Sequence, residues 1–316
     1  MTQIFLTILP VFLVLGTGYL GARTGYLNAG VADALNNFTV KLAVPTLLMR
    51  AMYRLDFGQA FHIPMLVAFY CGALASFVVA ILAARIIWKR RPGEAVAIGF
   101  CAMFSNTVLL GLPIMERAFG ADSMAPAFGI VALHAPCLYT IGMLTMELSR
   151  RDGRPLGEAL KAAMKSILTN AFMIGVLLGT ALNLASVPIA EPLMAAIDMI
   201  ATAAIPAALV GIGAALTRYS LRSEISESLM ISALSLLIHP AIAFLLAYEL
   251  LHLPMEYVRA AVVIAAMPPG MNGYIFAAMY DRAMGVAASS LIVANLLSVF
   301  TITAWLALLA RVAGAS

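Results

Sequence analysis

The stretch AAMPPGMNGYIFAAMY, residues 265–280, decides how this chain folds. It lies inside a long apolar run, yet two prolines, two glycines and an asparagine occupy its middle. Proline removes a backbone N–H donor and clashes with the preceding helical turn, and glycine is a poor helix former. The stretch therefore predicts a helix that is interrupted near its centre.

The composition places that helix in a membrane. Of the 316 residues, 63% are hydrophobic and 11% are charged, whereas a soluble domain has about 45–50% apolar and about 25% charged residues. The apolar residues form long blocks and do not alternate, which excludes a membrane β-barrel. At about 20 residues a span, the chain is predicted to be an all-α polytopic membrane protein. The net charge of +4 lies mostly in loops and is no sign of nucleic-acid binding.

Ten transmembrane spans fit the apolar blocks. They cover residues 3–22, 31–52, 62–88, 95–119, 126–148, 167–185, 193–216, 225–251, 259–280 and 286–312. The first run has neither a basic leader nor a cleavage motif, so it is predicted to be a membrane helix and not a signal peptide. Residues 149–166 form the longest polar stretch, and their second part is predicted to be an interfacial helix.

The loop charges predict the orientation. With the N-terminus outside, thirteen of the nineteen lysines and arginines fall in the cytoplasmic loops and five fall on the outside. Because cytoplasmic loops carry the excess of basic residues, both termini are predicted to face outward from a bacterial inner membrane. The 149–166 loop is then cytoplasmic.

The two halves of the chain resemble each other. Pro45 in span two and Pro206 in span seven lie 161 residues apart, and Met103 aligns with Met267 at an offset of 164. Five spans per half make the second half enter the membrane in the opposite direction. The sequence thus predicts two inverted five-helix repeats, residues 1–148 and 167–316, separated by the 149–166 loop, which is a design of secondary transporters.

Spans four and nine are the matching pair of interrupted helices that marks a transport site in such proteins. Free N–H groups at half-helix N-termini attract anions, and side-chain amides can satisfy both donors and acceptors. The alternative is a plain proline kink, in which the asparagines only hold the crossing together. The predicted substrate-binding residues are Asn106, Thr107, Gly111, Pro113, Pro268, Pro269, Gly270 and Asn272, together with Lys41 of span two.

Several segments in order along the chain resemble the auxin efflux carrier family, whose bacterial members are described as malonate, malate and related carboxylate permeases. They are LPVFLVLGTGYLGARTGYL (9–27), ALNNFTVKLAVPTLLMRAM (34–52), SNTVLLGLPIMERAFG (105–120), AIPAALVGIGAAL (204–216) and AMPPGMNGYIFAAMYD (266–281). The resemblance implies the fold of bile-acid symporters and sodium–proton antiporters, with broken helices four and nine crossing near the midplane. Spans 1, 2, 6 and 7 would form the scaffold, and spans 3–5 and 8–10 the core domain.

A few polar residues within the other spans are coupling or structural candidates, because such residues are costly in a membrane. They are His134 with its repeat mate Asn295, and Asn37 with its repeat mate Asp198. His134 suits either proton coupling or a structural hydrogen bond. Asp198 suits either proton coupling or the outer interface, and Lys41 suits either a substrate anion or the lipid headgroups. Pro45 and Pro206 are the predicted hinges.

The predicted function is secondary active transport of a small organic anion such as malonate, malate or an auxin-like carboxylate. A sodium-coupled symporter of the same fold is one alternative, although spans four and nine hold no Asp or Glu for a sodium site. An integral membrane enzyme is another, but the chain has no H-E-x-x-H or G-x-S-x-G motif. No cofactor or metal is predicted, protons or sodium are the candidate coupling ions, and a homodimer is one open arrangement.

Overall fold

The computed structural model describes residues 2–149, 168–218 and 224–315, together with four positions between 157 and 165. Throughout these residues the regular structure is helical. The interfacial helix predicted within 149–166 lies largely outside the described part of the chain.

The first half forms eight α-helices. They are α1 (Thr2–Arg23), α2 (Ala29–Phe38), α3 (Val44–Tyr53), α4 (Phe57–Ala60), α5 (Ile63–Ile86), α6 (Pro92–Met103), α7 (Leu112–Phe119) and α8 (Met124–Ser149). A short 3₁₀ turn, Ala121–Ser123, precedes α8.

Seven further α-helices follow in the second half. They are α9 (Ala171–Leu184), α10 (Glu191–Leu216), α11 (Ile225–Ala233), α12 (His239–Phe244), α13 (Met255–Ala265), α14 (Met271–Met279) and α15 (Met284–Ala315). Four π-helical segments, Thr39–Ala43, Thr107–Gly111, Leu234–Ile238 and Leu245–Leu250, join or extend these helices.

Among the described residues, five continuous helices are long and apolar enough to cross a membrane. They cover Ile63–Ile86, Met124–Ser149, Glu191–Leu216, Ile225–Leu250 and Met284–Gly314. Spans four and nine, predicted over 95–119 and 259–280, are each interrupted and so yield only shorter helices. The chain is thus a multi-pass, all-helical membrane protein within the described residues.

Three of the π-helical segments have a common cause. Each ends two residues before a proline, at Pro45, Pro113 and Pro240. A proline ring meets the carbonyl four residues earlier, and a hydrogen bond that spans five residues carries the chain around that clash. Val44, for example, donates its N–H to the Thr39 carbonyl. The proline positions therefore explain where these helices widen.

The helices pack as two groups. Helices α1, α2, α3, α9 and α10 pack chiefly on one another, and the remaining long helices pack chiefly among themselves. In the first group glycines let backbones touch: a Cβ at Gly18 would overlap the Val210 carbonyl, and one at Gly179 would overlap the Met49 carbonyl. Such close approach of backbones is typical of helix pairs in membranes.

One expectation from sequence is wrong for a cysteine. All three cysteines fall in apolar runs, which predicts small buried side chains. Cys101 is buried and Cys137 is partly buried, but Cys71 is exposed on the surface of α5. Apolar residues occupy every side of this helix, so the sequence has no means of telling its inner face from its outer face.

We predict that Gly18→Ala destabilises the protein by about 1–3 kcal/mol, because the added methyl group meets the Val210 backbone, which cannot move aside. Thermal denaturation in detergent measures the effect. Gly16→Ala is the matched control, since nothing lies within 4 Å of a Cβ there, and alanine is the better helix former. Equal melting temperatures for the two variants would contradict the assigned contact.

Candidate functional site

The two interrupted helices meet at their breaks. Helix α6 ends at Met103 and the chain becomes helical again at Thr107, while α13 ends at Ala265 and α14 begins at Met271. Between these ends, each connecting segment runs extended for a few residues. The structure thus breaks both helices where the prolines, glycines and asparagines of the sequence predict it.

The two extended segments form a short antiparallel bridge. The Asn106 N–H donates to the Pro268 carbonyl at 2.8 Å, and the Gly270 N–H donates to the Phe104 carbonyl at 3.2 Å. Ser105 and Pro269 face each other between these bonds without bonding to one another. A proline is tolerated at 269 because this place in an antiparallel ladder requires no N–H.

The bridge itself has a local two-fold symmetry, as any antiparallel bridge does. It pairs Ser105 with Pro269, so Asn106 corresponds to Gly270, and Asn272 corresponds to Val108. The two asparagines therefore do not occupy equivalent positions, although both lie beside a break. The 164-residue offset between Met103 and Met267 gives the same correspondence, so this asymmetry is already present in the alignment of the two halves.

A cavity of about 230 Å³ lies against the crossing. It is lined by Val40, Leu48, Phe104, Ser105, Asn106, Thr107, Val108, Leu109, Val131, His134, Ala135, Tyr139, Asn170, Ala171, Phe172, Met173, Val176, Gly270, Met271, Asn272, Ile275 and Met279. The cavity is smaller than the roughly 300–1,000 Å³ of pockets for drug-sized ligands. No charged side chain is among these lining residues.

The amides at the crossing are held differently. The Tyr139 hydroxyl donates to Oδ1 of Asn272 at 3.2 Å, which leaves the N–H groups of that amide available as donors. Asn106 is 8% exposed, and its side-chain amide makes no hydrogen bond with the described residues. Thr107 is also buried, at the start of the second half-helix. These three side chains bring donors to one wall of the cavity.

Two histidines lie behind the crossing. His239 is fully buried; its Nε2 is 3.1 Å from the Phe69 carbonyl and its Nδ1 is 3.5 Å from the Ser105 hydroxyl. His134 is also buried, but neither of its ring nitrogens makes a hydrogen bond with a described residue. His239 therefore holds the crossing in place, whereas His134 brings unused polar atoms to the cavity wall.

Other predicted site residues shape the break without lining the cavity. Gly111 lies close to α13, since a Cβ there would be 3.0 Å from the Ile264 side chain. Pro113 lies in the first turn of α7, Pro268 supplies a bridging carbonyl and Pro269 stands within the bridge. These four residues position the crossing through the backbone.

Lys41 and Asn295 lie apart from this wall. Lys41 is exposed in the π-helical segment before α3, although its neighbour Val40 lines the cavity. Asn295 is buried in α15, where its amide nitrogen donates to the Leu291 carbonyl at 2.7 Å. The structure thus brings His134 to the cavity but not its repeat mate.

Asp198 is an ion-pair partner for two arginines. Its carboxylate lies 3.2 Å from Arg50 and 3.1 Å from Arg54, so it ties α10 to the end of α3. Asn37, its predicted repeat mate, is exposed, and the neighbouring Asn36 is the amide that packs against Gly211. These contacts lie outside the cavity lining.

Tyr139 and Asn170 are cavity residues that sequence reasoning did not single out. Tyr139 gives no sequence signal, because aromatic residues are common in membrane helices. Asn170 does give one: it precedes the apolar run of α9, and its side chain accepts hydrogen bonds from the N–H groups of Phe172 and Met173. An asparagine at such a position is a typical helix N-cap.

Comparison with known proteins identifies relatives over almost the whole chain. The family model described as "Membrane transport protein" matches residues 3–306. An "Uncharacterized transporter" of Methanothermobacter thermautotrophicus is 24% identical over 307 residues, which are 95% of this chain and 96% of that protein. A "Putative malonate transporter" of Rhizobium meliloti is 24% identical over 314 residues, which are 98% of this chain and 97% of that protein. The chain thus matches these relatives from end to end.

We predict that Gly270→Pro destabilises the protein by about 1–3 kcal/mol, because it removes an N–H of the bridge and leaves the buried Phe104 carbonyl without its donor. The backbone at Gly270 (φ −85°, ψ 170°) suits any residue. Gly270→Ala is therefore the matched control and should stay close to the parent protein. Melting temperatures in detergent measure the difference, and a stable Gly270→Pro variant would contradict a role for this hydrogen bond.

Proposed function

The chain belongs to the membrane transport protein family, and we propose that it is a secondary active transporter that moves a small organic carboxylate across the membrane by alternating access. The family match confirms the resemblance drawn from the sequence motifs. The family and the relatives named above are transporters, so we propose no enzymatic activity.

The helix crossing carries this proposal. Two hydrogen bonds hold a pair of broken helices together, and a cavity with neutral polar side chains lies directly against them. Irregular backbone at membrane depth is tolerated only where protein buries it or where it lines a cavity. A transporter that binds its substrate at discontinuous helices uses this arrangement.

The chemistry of the crossing favours an anion. The N–H groups in the first turn of a helix lack intrahelical acceptors, and the end of the helix is partly positive. The run that begins at Thr107 and helix α14 both start at the crossing. Asn106, Thr107 and Asn272 add side-chain donors beside them. A carboxylate bound here would accept hydrogen bonds from both halves of the chain.

Equivalent contacts in the two halves support an inverted repeat. Gly18 packs on the Val210 carbonyl and Gly179 packs on the Met49 carbonyl. The offset of 161 residues relates these two contacts, because it takes Gly18 to Gly179 and Met49 to Val210. The bridge follows the offset of 164 residues, which takes Phe104 to Pro268 and Asn106 to Gly270. Under this correspondence each of its two hydrogen bonds takes the place of the other. Residues 1–148 and 167–316 are therefore proposed as two five-helix repeats of a ten-helix fold.

Alternating access would use the two packing groups. The proposed scaffold comprises α1–α3, α9 and α10, and the proposed core domain comprises α5–α8 and α11–α15. The cavity lies between them, since Val40, Leu48 and the first turns of α9 face the crossing and α8. Pro45 and Pro206 remain predicted hinges, and the Pro45 carbonyl packs closely on Gly175.

The cavity extends towards one side of the membrane. Its lining runs from the crossing to Asn170 at the start of α9 and to Met279 at the end of α14. Both residues lie at the helix ends next to the loops predicted to be cytoplasmic. With both termini outside a bacterial inner membrane, this conformation would be the inward-facing one.

Several alternatives within this function stay predictions. Sodium coupling has no Asp or Glu among the described lining residues to support it, and proton coupling through His134 or Asp198 is the alternative that we favour. Lys41 is a predicted contact that the cavity lining does not include. A homodimer remains one arrangement of the assembly.

We predict that Asn106→Ala and Asn272→Ala each abolish transport, because each removes an amide donor from the crossing. Uptake into proteoliposomes measures the effect, after a binding screen with dicarboxylates, monocarboxylates and indole-3-acetate has identified the substrate. Asn28→Ala is the control, since this asparagine caps α2 far along the chain from the crossing. Full transport by both crossing variants would refute the site.

The coupling ion is tested by imposing a pH gradient or a sodium gradient on the same proteoliposomes. We expect the pH gradient to drive uptake and the sodium gradient to have little effect, because a sodium site usually requires converging oxygens that include a carboxylate. An impermeant cation in place of sodium is the control. Uptake that depends on sodium alone would favour the symporter alternative.

A further inference from the structure

His134 is a buried polar side chain whose hydrogen-bonding capacity is unused. It lies on α8 and is 2% exposed, and neither Nδ1 nor Nε2 has a hydrogen-bond partner among the described residues. It also lines the cavity at the crossing. A buried polar group without a partner is unfavourable, so a partner supplied by a ligand would stabilise this arrangement.

On its protein side His134 is surrounded by aromatic rings and by the Ser105 backbone, which lies near the imidazole but outside hydrogen-bond geometry. Its ring centroid lies 4.5 Å from that of Phe104 and 5.7 Å from that of Phe69, both in edge-to-face geometry. These rings pack against the imidazole and hold it in place, and neither ring nitrogen forms a hydrogen bond with them. His239, by contrast, contacts polar atoms at both nitrogens. Of the two histidines, His134 is therefore the one equipped to contact a ligand.

His134 is a polar side chain separate from the Asn272 amide. It precedes Tyr139 by five residues on α8, which is about 7.5 Å along the helix axis. Tyr139 in turn is hydrogen-bonded to Asn272. The cavity thus offers the Asn272 amide as a donor for a carboxylate and a further polar group, His134, at some distance from that amide.

The charge of the lining limits the charge of the ligand. None of the described residues that line the cavity is Lys, Arg, Asp or Glu. Neutral donors and helix ends can stabilise one negative charge, whereas a second one would be buried without a counter-ion. A neutral imidazole offers one donor and one acceptor. Hydroxyl and protonated carboxyl groups match that pair, since each can both donate and accept.

We propose that His134 is a specificity-determining contact that binds a second oxygen group of the substrate, a hydroxyl or a protonated carboxyl. The substrate class is then a small carboxylate of net charge −1 that carries such a group, for example a hydroxy acid or a singly ionised dicarboxylate. This inference rests on the proposed function, because it requires the carboxylate to bind at the crossing.

The test compares two ligands that differ at one position. 3-Hydroxypropanoate and butanoate carry the same charge, and a methyl group in butanoate replaces the hydroxyl. Calorimetric titration of the purified protein in detergent gives both affinities. We expect the parent protein to bind 3-hydroxypropanoate about ten- to a hundredfold more tightly, as is usual when a buried group loses its hydrogen-bond partner.

The variants assign that preference to the imidazole. His134→Leu should lose the preference by weakening 3-hydroxypropanoate alone, whereas His134→Gln, which keeps a donor and an acceptor, should retain part of it. Cys137→Ala on the same helix, outside the cavity lining, should keep the full preference. If His134→Leu does not fold, the parent preference and the His134→Gln result decide the question.

Three results would overturn the inference. The first is equal affinity of the parent protein for both ligands. The second is an equal loss of affinity for both ligands in His134→Leu. The third is an undiminished preference of that variant for 3-hydroxypropanoate. Asn106→Ala separates this failure from failure of the proposed function, because it should weaken both ligands together. If the parent protein binds neither of them, the inference fails, and if malonate and indole-3-acetate are not bound either, the carboxylate function fails with it.

Discussion

Inside a membrane every backbone N–H and C=O has to find a partner within the protein, and two hydrogen bonds meet that demand where two helices are interrupted. They join Asn106 to Pro268 and Gly270 to Phe104. Without them, the carbonyls of the buried residues Phe104 and Pro268 would lose these donors. With them, the break becomes a fixed structure that exposes helix ends to a cavity, and the position of the candidate site depends on it.

Close glycine contacts provide the second constraint, because they set the distance between helices in the proposed scaffold. Gly18 on Val210 and Gly179 on Met49 bring backbones together where any side chain would separate them. The proposed core domain contains such contacts as well, since a Cβ at Gly72 would overlap the His239 carbonyl and one at Gly129 would overlap the Ala60 carbonyl. It adds stacked aromatic rings such as Phe100 on Phe276, whose centroids lie 3.9 Å apart.

The asymmetry of the crossing gives the candidate site its chemistry. The bridge makes Gly270 the counterpart of Asn106, and Val108 the counterpart of Asn272. Asn106 therefore directly follows the bridge residue Ser105, whereas Asn272 lies three residues after the bridge residue Pro269 and is held by Tyr139. Two broken helices that meet through a symmetric bridge thus present an asymmetric wall. The absence of charged residues from the cavity lining makes hydrogen-bond geometry, more than net charge, the basis of selectivity proposed for this protein.

The sequence by itself determined the membrane class, the places where helices break and the transporter family, because apolar runs, prolines and glycines act locally on the backbone. It also indicated a relation between the halves through the offsets of Pro45 and Pro206. Only the tertiary structure decided which residues face each other: Tyr139 with Asn272, Asp198 with Arg50, and a cavity that includes His134 but leaves Lys41 exposed. In helices that are apolar on every side, the pattern of residues does not distinguish the buried face from the lipid-facing one, so packing alone makes that choice.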